Sequence, residues 1–303
     1  MSWFKRAYTA SFALLVVLYL CLTFIPTPDR TALHHYHLST SRFHWLVLPI
    51  VIFLILIWIA AYYGSLRVQS YAYLIRRSAD GKAFKLVADG ILILAISLPV
   101  TVAVNSIITL VERYHPGARE SLTIINNYFN LLIMGVALTL IARGAEGLSG
   151  LVETKIKTLP EKFWVFLLVV FSVFYAYFVA NQPEDSASNS VYYMPRWLVL
   201  ATIAIPYIYI WYRGIKGAYL IHQYQTRVRG ALYKHALRYL ALGIGAVVLS
   251  SVINRTISTA AARITRLDLT PILLIIYGFL IVIAIGYILI ALGAKKLKQI
   301  EEA

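Results

Sequence analysis

Apolar side chains gather into eight long runs along the chain, at 8–25, 45–63, 87–111, 124–142, 163–180, 196–212, 237–257 and 272–294. A helix needs about 20 mostly apolar residues to cross a bilayer, and backbone in lipid must satisfy its own hydrogen bonds. The pattern therefore predicts eight transmembrane helices joined by short polar connections. The first run follows Lys5 and Arg6 and passes into LTFIPTP instead of a small-x-small cleavage site, so it reads as an uncleaved anchor. Pro49, Pro99 and Pro206 fall within runs and predict kinks there.

The runs also repeat. Sliding the chain by 149 residues aligns 63–153 with 212–302 without a gap, and 14 of the 91 pairs are identical, among them Tyr63/Tyr212, Gly81/Gly230, Asn105/Asn254, Tyr128/Tyr277 and Gly144/Gly293. Upstream, Trp45-Leu-Val-Leu matches Trp197-Leu-Val-Leu at an offset of 152. An even number of spans per unit gives both units the same orientation, related by an axis along the membrane normal. The predicted fold is an all-α integral membrane protein of two parallel four-helix repeats, 1–153 and 154–303. The stretches MPRWLVLATIAIPYIYIWYRG at 194–214 and VRGALYKHALRYLALGIGAVV at 228–248 resemble uncharacterised multi-pass bacterial membrane-protein families known only as domains of unknown function. That resemblance implies a membrane bundle and no particular activity or site.

Composition agrees with lipid as the solvent. The 303 residues are 60% hydrophobic and 14% charged, where soluble domains carry about a quarter charged residues, and mean hydropathy is +0.73. Eight spans use up the chain and leave no room for a soluble catalytic domain. Of the 28 Lys and Arg residues, 20 fall in the N-terminus, 64–86, 143–162, 213–236 with the boundary residue Arg238, and the C-terminal tail, and 8 in the alternate connections, while the acidic residues divide seven to six. The positive-inside rule then puts both termini in the cytoplasm, with the protein in the cell's inner (plasma) membrane. Cys21 is the one cysteine, which excludes intrachain disulfides.

The most informative polar pattern is in the third run, where Ser97, Thr101, Asn105 and Thr109 recur every four residues and form a stripe on one helix face. At an offset of 149 their counterparts are Ala246, Ser250, Asn254 and Ser258. An amide in hydrocarbon is costly unless bonded, so Asn105 and Asn254 are expected to face protein or water. Two roles fit the stripe: the wall of a solute pathway between the halves, or interhelical glue. Asn126, Asn127 and Asn130 open the fourth run, and Asn126 and Asn130 share a face. They fit an asymmetric vestibule or simply a polar helix start. Asp89 and Arg238 align under the repeat and could meet as an ion pair between the halves.

The connections 64–86 and 213–236 combine basic residues with tyrosines. Arg76, Arg77, Lys82, Arg227 and Arg229 are the candidates for anionic lipid, and a nucleic-acid partner is not expected. His34, His35, His37 and His44 are dense enough to suggest a metal, but they lack companion cysteines, and a solvated loop explains them as well. No cofactor is expected. No lysine, histidine or acid lies deep in a run, and HExxH, GxSxG, CxxC and phosphate-loop patterns are absent, so catalysis is not expected. The expectation is a channel or passive carrier for a small polar solute or ion. The alternative is a non-catalytic membrane scaffold, sensor or subunit that packs with a partner or with itself.

Overall fold

The computed structural model describes residues 2–24, 40–78, 80–114, 119–150, 196–261 and 269–302, together with Phe166, Val169, Val170, Ser172, Val173 and Tyr177. The long helices are α1 (Ser2–Phe24), α2 (Thr40–Leu74), α3 (Gly81–Tyr114), α4 (Arg119–Ser149), α5 (Ile205–Gln225), α6 (Ala231–Ala261) and α7 (Leu269–Glu302). The fifth apolar run, 163–180, lies outside the described residues except for the six just named, each of them helical. Five stretches are long and apolar enough to cross a membrane: Leu48–Arg77, Gly81–Thr101, Tyr128–Ser149, Ala231–Thr256 and Tyr277–Ile300. The chain is thus an all-α, multi-pass membrane protein.

Hydrophobic runs set the spans, but the helices outlast them. Helix α2 continues eleven residues beyond 63 to Leu74, because a solvated polar residue does not interrupt the intrahelical ladder. Pro49 and Pro99 lie inside α2 and α3, which run on through them. Pro206 opens α5 directly after a π-helical stretch, Leu200–Ala204, where a wider turn relieves the clash of the ring with the preceding carbonyls.

Helices α2 to α7 form a closed ring: each packs on the next, and α7 returns to α2. Helix α1 packs against α2 and α3, where Tyr8 and Phe12 stack on Tyr62 with ring centroids 5.1 and 4.9 Å apart. The faces turned away from the ring are apolar. Ile281, Ile285, Ile288 and Leu292 make an exposed stripe on α7, and Ile52, Leu56 and Ile59 another on α2. Such stripes are costly in water and at no disadvantage in lipid.

Glycines set how closely the ring helices approach. A Cβ on Gly90 of α3 would lie 2.6 Å from the Ala137 carbonyl oxygen of α4, and one on Gly243 of α6 would lie 2.7 Å from the Gly286 oxygen of α7. Backbone contact of this kind gathers dispersion energy where lipid removes the hydrophobic driving force.

The two described basic connections share one end of the ring, the basic end. Both are short: Ile75–Arg77 and Ser78 turn α2 into α3, and Gly230, at φ 101°, turns α5 into α6. A positive φ there suits glycine. The tyrosines of these connections divide: Tyr73 is exposed, whereas others are part of the core. Tyr71 and Tyr224 are buried, Tyr71 meets Phe84 edge-on at 5.4 Å and hydrogen-bonds Tyr233, and the Tyr224 hydroxyl donates to Asp80 Oδ2 at 2.5 Å.

Candidate functional site

A cavity of about 260 Å³ lies inside the ring, and all six ring helices contribute to its wall. Leu54 comes from α2, Ser97 and Thr101 from α3, Asn130 and Met134 from α4, Tyr207 from α5, Ser250, Ser251, Asn254 and Arg255 from α6, and Ile283 and Tyr287 from α7. The volume far exceeds the roughly 10–15 Å³ that one water needs and approaches the lower end of small-molecule pockets, about 300 Å³.

The polar groups of the wall are held in fixed positions. Ser97 Oγ donates to the Leu94 carbonyl and Ser250 Oγ to the Val247 carbonyl, both at 2.7 Å. Each hydroxyl proton is thereby used within its own helix, and the oxygen stays available as an acceptor. Thr101 Oγ1 donates to Asn130 Oδ1 at 2.6 Å, and Asn130 Nδ2 donates to Asn126 Oδ1 at 3.3 Å. These bonds orient the Asn130 amide and leave it a second N–H. Trp211 Nε1 donates to Ser251 Oγ at 3.3 Å, and the Tyr287 hydroxyl to the Leu94 carbonyl at 3.0 Å. The Arg255 guanidinium lies over the Tyr207 ring, 5.0 Å from its centroid, a contact that stabilises a cation in a poorly hydrated place.

Between the cavity and the basic end the ring is filled. Ile91, Leu138, Ile141, Leu240, Ile244 and Ile290 are fully buried there, as are Trp58 and Trp211. The tyrosine cluster around Asp80 closes the end. Burial first and the neighbouring Asp80 second push the Tyr224 phenol up, so it stays a neutral donor. On the α4–α5 seam, Arg213 and Lys216 both reach Glu146 Oε1, at 2.7 and 2.9 Å.

Five of the stripe and vestibule residues expected from sequence meet in the cavity wall: Ser97, Thr101, Asn130, Ser250 and Asn254. Asn126 is buried behind Asn130. Asn105 and Thr109 on α3, Asn127 on α4 and Ser258 on α6 have side chains outside the described residues, as do His34, His35, His37 and His44. Asp89 and Arg238 are not brought together. Asp89 accepts from Gln69 Nε2 at 2.7 Å, whereas Arg238 shares a smaller cavity of about 150 Å³ with His222, between α5 and α6. Of the lipid candidates, Arg76 lies over Tyr73 at 4.0 Å, Arg77, Lys82 and Arg229 are exposed, and Arg227 is half-buried. Among the described residues no three His, Cys, Asp or Glu side chains group as a metal site.

Sequence reasoning missed Tyr207, Ser251, Arg255 and Tyr287. Arg255 ends an apolar run and reads as an outer flanking charge; its position directly after Asn254 was the available signal. The tyrosines carry no signal of their own in a chain with 22 of them.

Ring, apolar outer faces and spanning helices define a multi-pass helical membrane protein. No family model matches the chain, and no curated protein or solved structure is significantly similar to it.

Proposed function

We propose that this chain is a non-enzymatic carrier that binds a small polar solute in the cavity of its six-helix ring. The observation that carries the reading is the convergence of the polar stripe and the Asn130 amide on one space bounded by all six helices. The filled half of the ring favours a carrier over an open channel, since passage then requires the halves to move against each other. The basic end faces the cytoplasm of an inner-membrane protein, with Arg76, Arg77, Lys82 and Arg229 placed for anionic lipid.

The packing supports two parallel repeats, in a register different from the ungapped one. Gly90 meets Ala137 and Ile141 as Gly243 meets Gly286 and Ile290, and Gly64 meets Ile290 and Ala291 as Gly217 meets Ile141 and Ala142. The bond from Tyr224 to Asp80 has its counterpart in that between Tyr71 and Tyr233. In this register α2 and α3 map onto α5 and α6 at an offset of 153, and α4 onto α7 at 149. Residues 50–98 then match 203–251 at 13 of 49 positions, including Trp58/Trp211, Tyr71/Tyr224 and Ser97/Ser250. Thr101 becomes the partner of Asn254. The cavity wall pairs off in the same way, with Leu54 against Tyr207, Ser97 against Ser250, and Met134 against Ile283, so in this reading the cavity lies on the axis between the repeats.

Flux into proteoliposomes, followed by light scattering over a panel of small polyols and ions, tests the proposal. The chain should raise permeation of at least one solute above empty vesicles, and Asn254→Leu should cut that rate at least fivefold while the protein stays monodisperse. If no solute passes, the filled half supports the second reading, a non-catalytic scaffold or sensor whose partner is another membrane protein or a second copy.

A further inference from the structure

We infer that the cavity accepts a small solute bearing an oxyanion, carboxylate or phosphate, with Arg255 as the charge anchor. This rests on the cavity being a solute site.

The repeat register separates what symmetry imposes from what one half has added. Serines at 97 and 250, and the small polar side chains at 101 and 254, are matched across the axis. Arg255 is not, because the residue at its partner position is Val102, which carries no charge. Among the described residues the wall presents one guanidinium and no carboxylate. A guanidinium offers N–H donors in a planar fork that matches a carboxylate or phosphate edge. Its seat over Tyr207 restricts where that fork lies and lowers the ordering cost of binding. The neighbouring wall supplies the rest of a recognition pattern. Ser97 and Ser250 retain acceptor oxygens, which suit hydroxyl groups on the solute, and Asn130 retains a donor. The arrangement fits a compact hydroxylated anion better than a cation, which Arg255 would repel, or an apolar solute, which would leave these groups unpaired.

The test uses the full chain in detergent and three probes of one skeleton: glycerol, glycerate and glycerol 3-phosphate, at matched ionic strength in chloride. Thermal shift and calorimetry should show saturable binding of at least one of the two anions and none of glycerol at the same concentration. Arg255→Gln should weaken that binding at least tenfold, with Arg255→Lys in between. Whichever anion binds more tightly identifies the oxyanion as carboxylate or phosphate. Ser97→Leu fills the cavity from the opposite wall while leaving the arginine in place, and it should also abolish binding.

Four results would overturn the inference. If glycerol bound as well as the anions, the site would be one for neutral solutes; if Arg255→Gln left anion affinity unchanged, Arg255 would not be the anchor; in either case the carrier reading would stand. If Arg255→Gln weakened binding but Ser97→Leu did not, the anion would sit outside the cavity. If no probe bound, the anion assignment would fail, and the flux panel would judge the carrier reading separately. Should Arg255→Gln fail to fold, Ser97→Leu and the glycerol comparison still decide.

Discussion

The same six helices build two different interiors. Toward the basic end they touch through Gly64, Gly90, Gly144, Gly217, Gly243 and Gly293, each with a neighbouring helix within 3.1 Å of where a Cβ would stand. In the other half hydroxyls, amides and a guanidinium stand among the apolar side chains that face the cavity, and a Cβ on Gly278 of α7 would meet nothing within 4 Å. The difference separates two ways of associating in lipid. Close backbone approach fixes the ring, whereas polar side chains keep a space that apolar ones would fill.

The largest effect should come from making one substitution in both halves. Gly243→Ala puts a methyl 2.7 Å from a backbone oxygen that cannot move away without displacing α7. Overpacking of this kind costs about 2–3 kcal/mol. Gly278→Ala has open space and should be neutral or gain up to about 1 kcal/mol from reduced chain entropy. Unfolding titrations in mixed micelles read both variants, and equal losses would mean that the two halves are packed alike.

A smaller loss is expected at the floor of the filled half. Tyr224→Phe removes the hydrogen bond to Asp80 and should cost about 1.5 kcal/mol, the lower range for a bond to a charged group. It also has a pH signature. Burial and Asp80 raise the Tyr224 phenol above its ordinary value of 10.0, so the native state holds its proton while the unfolded chain releases it. The contribution is constant below pH 10 and is lost as pH rises above that value. The alkaline decline of stability should therefore be shallower in Tyr224→Phe than in the wild type. An identical decline would remove the phenol from the floor.

How much of this was legible in the sequence follows from which forces leave a local trace. The spans were legible because burial in lipid acts on every residue of a run, and α2, α3, α4, α6 and α7 each contain one of the runs. The polar stripe was legible for the same reason, since Ser97 and Thr101 stand out against apolar neighbours. Helix ends were not, because α2 and α5 continue on hydrogen bonds that polarity does not break. The register of the proposed repeat differs by four residues from the ungapped slide. The slide rewards Asn105/Asn254 and the α4–α7 matches together, whereas Gly90 and Gly243 make equivalent contacts at an offset of 153. Arg255 was legible as a charge but not as part of a wall, because only packing on Tyr207 brings it to the cavity.

The smallest prediction concerns His222, whose titration its surroundings displace. His222 lies at the basic end, in the groove between α5 and α6 that it shares with Arg238. Burial first, and the Arg238 charge second, hold it below its ordinary value of 6.5. A depressed value in the native state means that the unfolded chain binds the proton first as pH falls. The neutral histidine thus contributes stability above pH 6.5, and this is lost as pH falls through the lower native value. Wild-type melting temperature should drop between pH 7 and pH 5, and His222→Gln should flatten part of that drop. Arg238→Gln should flatten less, because it removes only the second cause and leaves the burial. Acid sensitivity unchanged in both variants would show that the groove is hydrated, and that the basic end is less tightly closed than its buried isoleucines and tryptophans indicate.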